Sequence, residues 1–299
     1  MSDEGTTSTV ATSGSTVPRR QLGRFMKKLR AEARLSVRTA AEALEWSETK
    51  MWRIETGQTS LRSLDVKAMC ALYGADEEET EGLMALAKET KAKGWWVSYS
   101  DVIPEWLDLY IGLEEAAAQI QGYESELVPG LLQTERYARV LIQTDNPGVD
   151  PDEIERRVQV RMARQMLLGR RFRPLVLHVV LNEAILHRPV GGTELMVEQL
   201  RRLIELGQLP NVCVRVMPFS AGLHYGIMSG PFVKLEFPLD GNGRPTEPST
   251  IYIDSFTGAL FLEKSHEIER YATAFAKVWD SSLSEVESTN YISKVAREM

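Results

Sequence analysis

The apolar and polar positions in the first third of the chain predict five helices. The first begins at Arg19 and carries one apolar stripe beneath a basic face. That stripe consists of Leu22, Phe25, Met26, Leu29 and Ala33. Ser36 and Ser47 stand where the next two helices need N-caps, Gly57 ends the later one, and Asp76 opens the fifth. The fourth helix is marked by Leu61, Leu64, Ala68, Ala71 and Leu72.

Two changes in composition divide the chain into three parts. Residues 1–18 are rich in Ser, Thr and Gly and contain no aromatic residue, which predicts a disordered tail. A different texture begins at Gly94, where the stretch GWWVSYSDVIPEWLDLY carries three of the six tryptophans. Because 299 residues exceed one average domain, we predict an all-α domain over 19–92 and a second domain over 93–299.

The second domain alternates apolar strand patterns with helical ones, which predicts an α+β fold with a small mixed sheet. The predicted strands are 116–124, 174–182, 212–217, 231–237 and 250–255. The predicted helices begin at Thr134 and at Asp150-Pro151, the latter running to about Arg171, and then cover 193–206, 263–280 and 282–298.

Charge is distributed unevenly along the chain. The formal net charge is -7, yet residues 18–63 hold eleven Lys or Arg against five Glu, a local net charge of +6. A basic head on an acidic body is typical of a protein in which one module meets nucleic acid and another does not. The only two cysteines, Cys70 and Cys213, lack metal-type spacing, and we expect both to be buried apolar residues of a cytoplasmic protein. No apolar run is long enough to span a membrane, and the start of the chain lacks a signal-peptide pattern.

The second and third predicted helices have the pattern of a helix-turn-helix. Two short helices can cross tightly only if a small residue lies at the crossing, and Ala41 occupies that position. With Met51 and Ile54 turned inward, the other side chains of the third helix face outward, where they can enter the major groove of DNA. Arg38, near the start of the second helix, is suited to a phosphate, and the basic helix from Arg19 to Arg34 is expected to hold the DNA backbone. The predicted DNA-contacting residues are Arg38, Thr39, Ser47, Glu48, Thr49, Lys50, Trp52 and Arg53.

Residues 19–74 resemble the lambda-repressor-like (Xre) helix-turn-helix family. The matching residues are the AA pair at 40–41, Leu44, WS at 46–47, Lys50 and RIETG at 53–57. The resemblance implies five helices and sequence-specific DNA binding. Three positions depart from the family pattern. Glu45 stands at a turn where the family often has glycine, Trp52 fills a site that is more often small or polar, and Glu48 can either accept a hydrogen bond from cytosine or repel phosphate.

The rest of the chain resembles the C-terminal domain of a large family of actinomycete regulators. The strings that carry the likeness are GWW, GLEEAAAQIQGYESELVPGLLQTERYARVLI, RMARQ, LNEAILHRPVGG and MPFSAGLHYGIMSGPFVKLEF. Members of that family join an Xre-type head to a domain of unresolved role and are described as antitoxin-like. The resemblance implies a transcription regulator, often paired with a small protein encoded nearby, and it implies no known reaction.

These observations lead to one main hypothesis and two alternatives. The main one is a dimeric, sequence-specific regulator of transcription that binds double-stranded DNA, with a body for dimerisation, a partner or an effector. In the first alternative, binding of a small neighbour-encoded protein is the main role and DNA binding serves autoregulation. The second is an enzyme, which would need a polar constellation inside the C-terminal domain. SHEIER at 265–270 lacks the second histidine of a zinc helix, and no P-loop, GxSxG or GxGxxG motif occurs, so we expect no catalysis, cofactor or metal.

Two further features of the body leave alternatives open. Residues 219–232 form a glycine-rich, loop-like stretch that either covers a site or is a plain hairpin connection. The arginines between Arg156 and Arg173 either contact DNA flanks or form ion pairs within the acidic body, and we favour the ion pairs.

Overall fold

The computed structural model describes residues 16–90, 94–170, 174–239 and 241–299. Most of the predicted disordered tail therefore lies outside the described residues. Its last three residues, 16–18, belong instead to the first helix, in which Thr16 is buried. The chain forms two compact units that divide between Val97 and Ser98, five residues beyond the boundary predicted from composition.

The N-terminal unit is all helical and has the five helices that the sequence predicts. They are α1 (Thr16–Glu32), α2 (Val37–Ala43), α3 (Glu48–Glu55), α4 (Ser63–Tyr73) and α5 (Glu77–Glu89). The predicted caps form: the side chains of Ser36, Ser47 and Asp76 accept hydrogen bonds from backbone N–H groups in the first turns of α2, α3 and α5. Local capping chemistry thus sets where these helices begin.

One core fills the N-terminal unit, although four of its predicted members are wrong. Met26, Ala40, Ala41, Met51 and Ile54 are buried as predicted. Phe25 of α1 is 49% exposed, Leu64 of α4 is 77% exposed, and Ala68 and Ala71 of α4 are exposed as well. The buried stripe of α4 is Val66, Met69, Cys70 and Tyr73. This helix has apolar residues on two sides, so periodicity alone does not determine which side packs.

The C-terminal unit combines six strands with eight helices in its described residues. The strands are β1 (Gln119–Glu124), β2 (Val176–Asn182), β3 (Val212–Met217), β4 (Phe232–Glu236), β5 (Thr250–Ser255) and β6 (Gly258–Leu262). The helices are α6 (Glu105–Ala116), α7 (Glu135–Asp145), α8 (Pro151–Arg164), α9 (Glu183–His187), α10 (Thr193–Leu206), α11 (Tyr225–Ser229), α12 (Ser265–Ser281) and α13 (Glu285–Glu298).

The six strands form one mixed sheet, which confirms the predicted α+β class. Their order is β3-β2-β1-β4-β5-β6, with β1, β2 and β3 parallel and the other neighbouring pairs antiparallel. The carboxyl ends of β1, β2, β3 and β5 therefore meet the amino ends of β4 and β6 at one end of the sheet, which we call the carboxyl edge. The main core lies on one face of the sheet, between it and α6, α7, α10 and α13.

Several elements of the C-terminal unit were missed or misplaced by the sequence prediction. Helix α6 lies in the tryptophan-rich stretch and carries apolar residues on most of its surface, so it shows no amphipathic stripe. Strand β6, at the side of the sheet, lacks the alternation of buried and exposed residues that marks a strand. Helix α8 ends at Arg164 rather than near Arg171, and the loop-like stretch 219–232 contains the short helix α11.

Candidate nucleic-acid interface

The structure places all eight predicted DNA-contacting side chains on the surface of the N-terminal unit. Met51 and Ile54 are at most 1% exposed and form, with buried Glu55, the inner face of α3, so the other α3 side chains face solvent. Four of the eight border one open depression of about 280 Å³: Ser47, Thr49, Lys50 and Arg53. Glu48 and Trp52 lie on α3 outside this depression, and Trp52 is 53% exposed. That these residues contact DNA stays a prediction.

Two of the predicted residues also have roles within the fold. The Ser47 hydroxyl accepts a hydrogen bond from the Lys50 N–H at 3.1 Å and so caps α3. The Lys50 ammonium lies 3.6 Å from the centroid of the Trp46 ring, a cation–π contact that holds it near the start of the helix. Arg53 makes no ion pair in the described part of the chain. Of the two cations on α3, Arg53 is therefore less restrained by its neighbours.

The turn between α2 and α3 holds Glu45 in a backbone conformation that is more usual for glycine. Glu45 has φ +56°, in the left-handed region that favours glycine. The Trp46 N–H donates to the Ala41 carbonyl at 2.9 Å and the Glu45 N–H donates to the Glu42 carbonyl at 3.1 Å, the hydrogen bonds of a Schellman helix end. The sequence therefore places a strained, exposed carboxylate at the turn that leads into α3.

The RIETG segment, residues 53–57, contains both a side chain that faces solvent and residues that pack against α1. Glu55 is buried and accepts two hydrogen bonds from Arg30 of α1, at 2.6 and 2.8 Å. Gly57 has φ +74°, and a Cβ there would lie 2.7 Å from Cα of Arg20. A Cβ on Gly23 of α1 would lie 2.4 Å from the Ile54 carbonyl oxygen. Two glycines and one ion pair thus hold α3 closely against α1, while Arg53 of the same motif remains at the surface.

The basic first helix is less available to DNA than its sequence suggests. Arg30 pairs with Glu55 inside the head, and Arg20 is only 6% exposed, so neither belongs to the surface expected to hold the DNA backbone. Arg38, predicted to contact a phosphate, pairs with Glu42 one turn later on the exposed side of α2. This exposed pair is weak, and a phosphate can displace the carboxylate.

Four of the five described arginines between Arg156 and Arg173 form ion pairs within the C-terminal unit, as predicted. Arg164 donates two hydrogen bonds of 2.7 Å to buried Glu114, and Arg161 donates one of 2.8 Å to Gln133. Arg156 pairs with Asp101, and Arg170 with Glu115. Arg171 and Arg173 lie outside the described residues.

The interior of the C-terminal unit is therefore not purely apolar. In addition to the Glu114–Arg164 pair, the interior contains Glu124, which lies at the end of β1 and is partly buried. Burial and, to a smaller extent, the neighbouring Asp254 raise the pKa of Glu124 to about 8. Cys213 lies on β3 beside His178 of β2. Burial is the main cause that raises the pKa of its thiol to about 12, and the neighbouring Glu285 adds to the increase. A thiol of such high pKa is a poor nucleophile. Within the described ranges, no group of three His, Cys, Asp or Glu side chains is arranged to hold a metal ion.

The fold and the exposed face of α3 together define a helix-turn-helix protein of the DNA-binding class. Residues 21–83 match the family model of a helix-turn-helix domain, and residues 107–294 match that of the domain of unknown function DUF5753. The second match covers more than half of the chain, which therefore belongs to the DUF5753 family. No curated protein and no solved structure matches the chain. None of the described helices has the length and apolar character needed to cross a bilayer.

Proposed function

We propose that this chain is a sequence-specific regulator of transcription that reads the major groove of double-stranded DNA with α3. The observation that carries the proposal is the division of α3 into a buried face, Met51 and Ile54, and an exposed face that contains Thr49, Lys50 and Arg53. In this reading Arg53 donates to a guanine edge, Thr49 contacts a neighbouring base, and Ser47 at the helix start faces a phosphate. The protein acts in the cytoplasm, and two heads in a homodimer would read half-sites about 34–36 Å apart or a multiple of that.

The test of this proposal is a comparison of charge-removing variants on one selected DNA site. Sites bound by the full chain are first mapped across the genome and compared with those of a version lacking residues 19–74. Binding of the best site is then measured by fluorescence anisotropy at several salt concentrations. We expect Arg53→Ala to weaken specific binding by about 1–3 kcal/mol, because a bidentate base contact is lost.

The matched control is Lys88→Ala, which removes an exposed cation from α5. We expect it to leave the affinity for the selected site nearly unchanged. Equal affinity of the Arg53→Ala protein and the wild type would contradict the assignment of Arg53 as a base-reading residue.

A second candidate function is favoured by the surface of the C-terminal unit. Five large apolar side chains between Phe219 and Met228 are more than half exposed, which is the feature of a binding surface rather than of an isolated body. In this candidate the main role is binding of a small neighbour-encoded protein, and DNA binding serves autoregulation, as the antitoxin-like resemblance implies. Co-expression with that small protein, followed by size-exclusion chromatography, tests it: two separate peaks would count against it.

We further propose that the C-terminal unit binds rather than catalyses. The ion-paired state of Arg164 and the high pKa of Cys213 support this, because both remove reactive groups from the interior. Burial raises the pKa of two described carboxyl groups, Glu124 of β1 and Asp254 of β5, and an enzyme reading would have to draw on groups of this kind. Unchanged partner and DNA binding by a Glu124→Gln variant would fit a binding module.

A further inference from the structure

Strand β6 is the last strand on one side of the sheet, and among the described elements only β5 pairs with it. The register with β5 ends at Ser255 and Gly258, which close a two-residue turn. Such a closing pair exchanges backbone hydrogen bonds, and bonded and non-bonded pairs then alternate along the ladder. The N–H and C=O groups of Ala259 and Phe261 therefore point away from β5, toward the outer side of β6.

The opposite side of the sheet, formed by β3, is covered by the chain itself. The Val216 carbonyl accepts a hydrogen bond from the Leu283 N–H at 2.9 Å, and the Val216 N–H donates to Oγ of Ser288 at 3.0 Å. The Val212 N–H donates to the Leu209 carbonyl at 3.1 Å. Helix α13 and the residues before it thus occupy the outer side of β3. In the described chain, β6 is the side at which the sheet can be extended.

The sequence of β6, GALFL, has none of the features that usually keep an outer strand from pairing. Soluble proteins place charged residues, proline or bulges in such strands. β6 contains no charged residue and no proline, and its register with β5 has no bulge. All its residues are at least partly exposed, and Leu260 at its centre is 58% exposed. An outer strand without protection is a template for another strand, which would cover it in the native assembly.

A second copy of β6 matches the groups that the first copy presents. In an antiparallel pair centred on Leu260, Ala259 of each copy lies opposite Phe261 of the other. Each of these pairs exchanges both backbone hydrogen bonds through the groups that β5 leaves free. The small alanine side chain lies opposite the phenylalanine ring, on the side of the sheet that carries the main core. Leu260 lies opposite its own counterpart, and no like charges meet because the strand is uncharged.

Pairing through β6 gives a closed dimer rather than a filament. A two-fold interface uses the same strand in both copies, so both β6 strands are covered at once. The β3 side of each sheet is already occupied by α13. An interface of five residues from each copy is short, so we expect the dimer to be weak on its own. When each copy also holds a DNA half-site, effective concentration adds to this weak affinity.

We propose that two copies of this chain pair through β6, in antiparallel register about Leu260, and thereby join their sheets. The inference deepens the proposed function and rests on it in one respect, namely that two linked heads bind two half-sites. The strand pairing itself is argued from the C-terminal unit alone. A strand of a different protein fits less well, because β6 has no charged side chain to select it. The two-fold register, by contrast, overlaps all five residues of β6 with themselves.

A charge placed on the two-fold axis tests the register. Sedimentation velocity of the full chain over a range of concentrations measures the dimer. In the Leu260→Lys protein two ammonium groups would face each other, and we expect its dimer to be roughly tenfold weaker or more. The matched control is Leu239→Lys, which alters a 61% exposed leucine in the segment after β4 and should sediment like the wild type. A wild type that stays monomeric, or a Leu260→Lys dimer as tight as that of the wild type, would overturn the proposal.

Mixing two variants distinguishes self-pairing from any other occupant of β6. The Leu260→Glu protein alone should dimerise as weakly as Leu260→Lys. An equimolar mixture of the two should form a heterodimer, because the opposite charges face each other across the axis. A mixture that stays as dissociated as the separate variants would contradict the two-fold register.

Disulfide cross-linking gives an independent measurement that does not depend on charge. The Cα atoms of a non-hydrogen-bonded antiparallel pair lie about 4.5 Å apart, within the range that a disulfide spans. We therefore expect the Leu260→Cys protein to form a covalent dimer on oxidation, while Leu239→Cys remains a monomer on a denaturing gel. The native Cys70 and Cys213 are both buried. Equal cross-linking at the two positions, or none at position 260, would count against the proposal.

DNA binding separates this inference from the regulator proposal. On DNA with two half-sites, Leu260→Lys should bind more weakly than the wild type, whereas on a single half-site the two proteins should bind equally. Equal affinities on the two-site DNA would overturn the role of β6 in linking the heads. Absence of DNA binding by a wild type that dimerises through β6 would refute the regulator proposal and leave the strand pairing established. Thermal unfolding checks that the Leu260→Lys protein is folded, as expected at an exposed position.

Discussion

The ion pair between Arg30 and Glu55 gives a prediction about what holds α3 against α1. Arg30 donates to both Glu55 oxygens at 2.6 and 2.8 Å and to the Leu35 carbonyl at 2.8 Å. The two side chains are only 11% and 6% exposed. Removing one partner of a buried pair leaves an uncompensated charge and costs about 3–5 kcal/mol. We therefore expect Glu55→Gln to destabilise the contact between α1 and α3 by roughly 3 kcal/mol, since glutamine keeps part of the hydrogen bonding.

The exposed pair between Arg38 and Glu42 supplies the matched control. It joins similar groups at 2.9 Å, but its side chains are 76% and 65% exposed. Pairs of this kind contribute about 0–1 kcal/mol, so Glu42→Gln should change little. Hydrogen exchange of the full chain, followed by mass spectrometry, measures the effect in α1 and α3 separately from the C-terminal unit. A loss of 3 kcal/mol corresponds to exchange that is roughly a hundredfold faster.

Comparable exchange in the Glu55→Gln and Glu42→Gln proteins would refute the argument that burial makes this pair matter. A double substitution provides the complementary test. Arg30→Met with Glu55→Leu removes both charges and fills the space with apolar groups, so it should recover most of the lost stability. Failure of that recovery would mean that the hydrogen bond to the Leu35 carbonyl, rather than the ion pair, holds α1 in place.

Three other substitutions are expected to have measurable effects. Glu45→Gly should stabilise the head by about 1 kcal/mol in thermal unfolding, because it relieves a left-handed residue, and it should tighten DNA binding in fluorescence anisotropy by removing a carboxylate. The pKa of Glu124 is raised to about 8, so its carboxyl group contributes stability at low pH that is lost as the pH rises through that value. In urea unfolding at pH 9, the free energy of unfolding of the Glu124→Gln protein should exceed that of the wild type by about 1–3 kcal/mol. The difference should vanish below about pH 4.5. Burial lowers the pKa of His224, so its neutral ring contributes stability above about pH 6.5 that is lost on acidification. The His224→Asn variant keeps an acceptor for the Gly226 N–H. Its free energy of unfolding should therefore fall less than that of the wild type between about pH 7.5 and pH 5.5.

The parts of this fold that the sequence predicts are those determined by local chemistry. Ser36, Ser47 and Asp76 cap their helices through hydrogen bonds to residues three positions later, and such signals are readable in a short window. The side of α4 that is buried depends on its neighbours in space, so Leu64 was wrongly placed inside. The Arg30–Glu55 pair joins residues 25 positions apart, and nothing in the spacing distinguishes it from the exposed pairs.

The exposed apolar residues at the carboxyl edge of the sheet show the same limit in another form. These residues come from separate segments, and only the strand order places Phe256 at the same end of the sheet as the segment that begins at Phe219. In sequence, the stretch 219–232 could be described only as a long loop with glycines. A prediction of an apolar surface would have required knowledge that β4 lies between β1 and β5. Strand order is set by long-range pairing, which periodicity does not report.

The distribution of charge in the head bears on how such a protein would select its DNA sites. Three of the cations on α1 and α2 are engaged by carboxylates, and the fully exposed face of α3 carries Glu48 beside Lys50 and Arg53. Affinity without sequence preference arises from phosphate neutralisation, so a head with this arrangement gains less from it than the eleven Lys and Arg of residues 18–63 alone would suggest. Discrimination between sites then depends more on direct contacts from α3, whose position is fixed by Glu55, Gly57 and Gly23. Linking two such heads through the body or a docked partner would raise their combined affinity by effective concentration, without any new DNA contact.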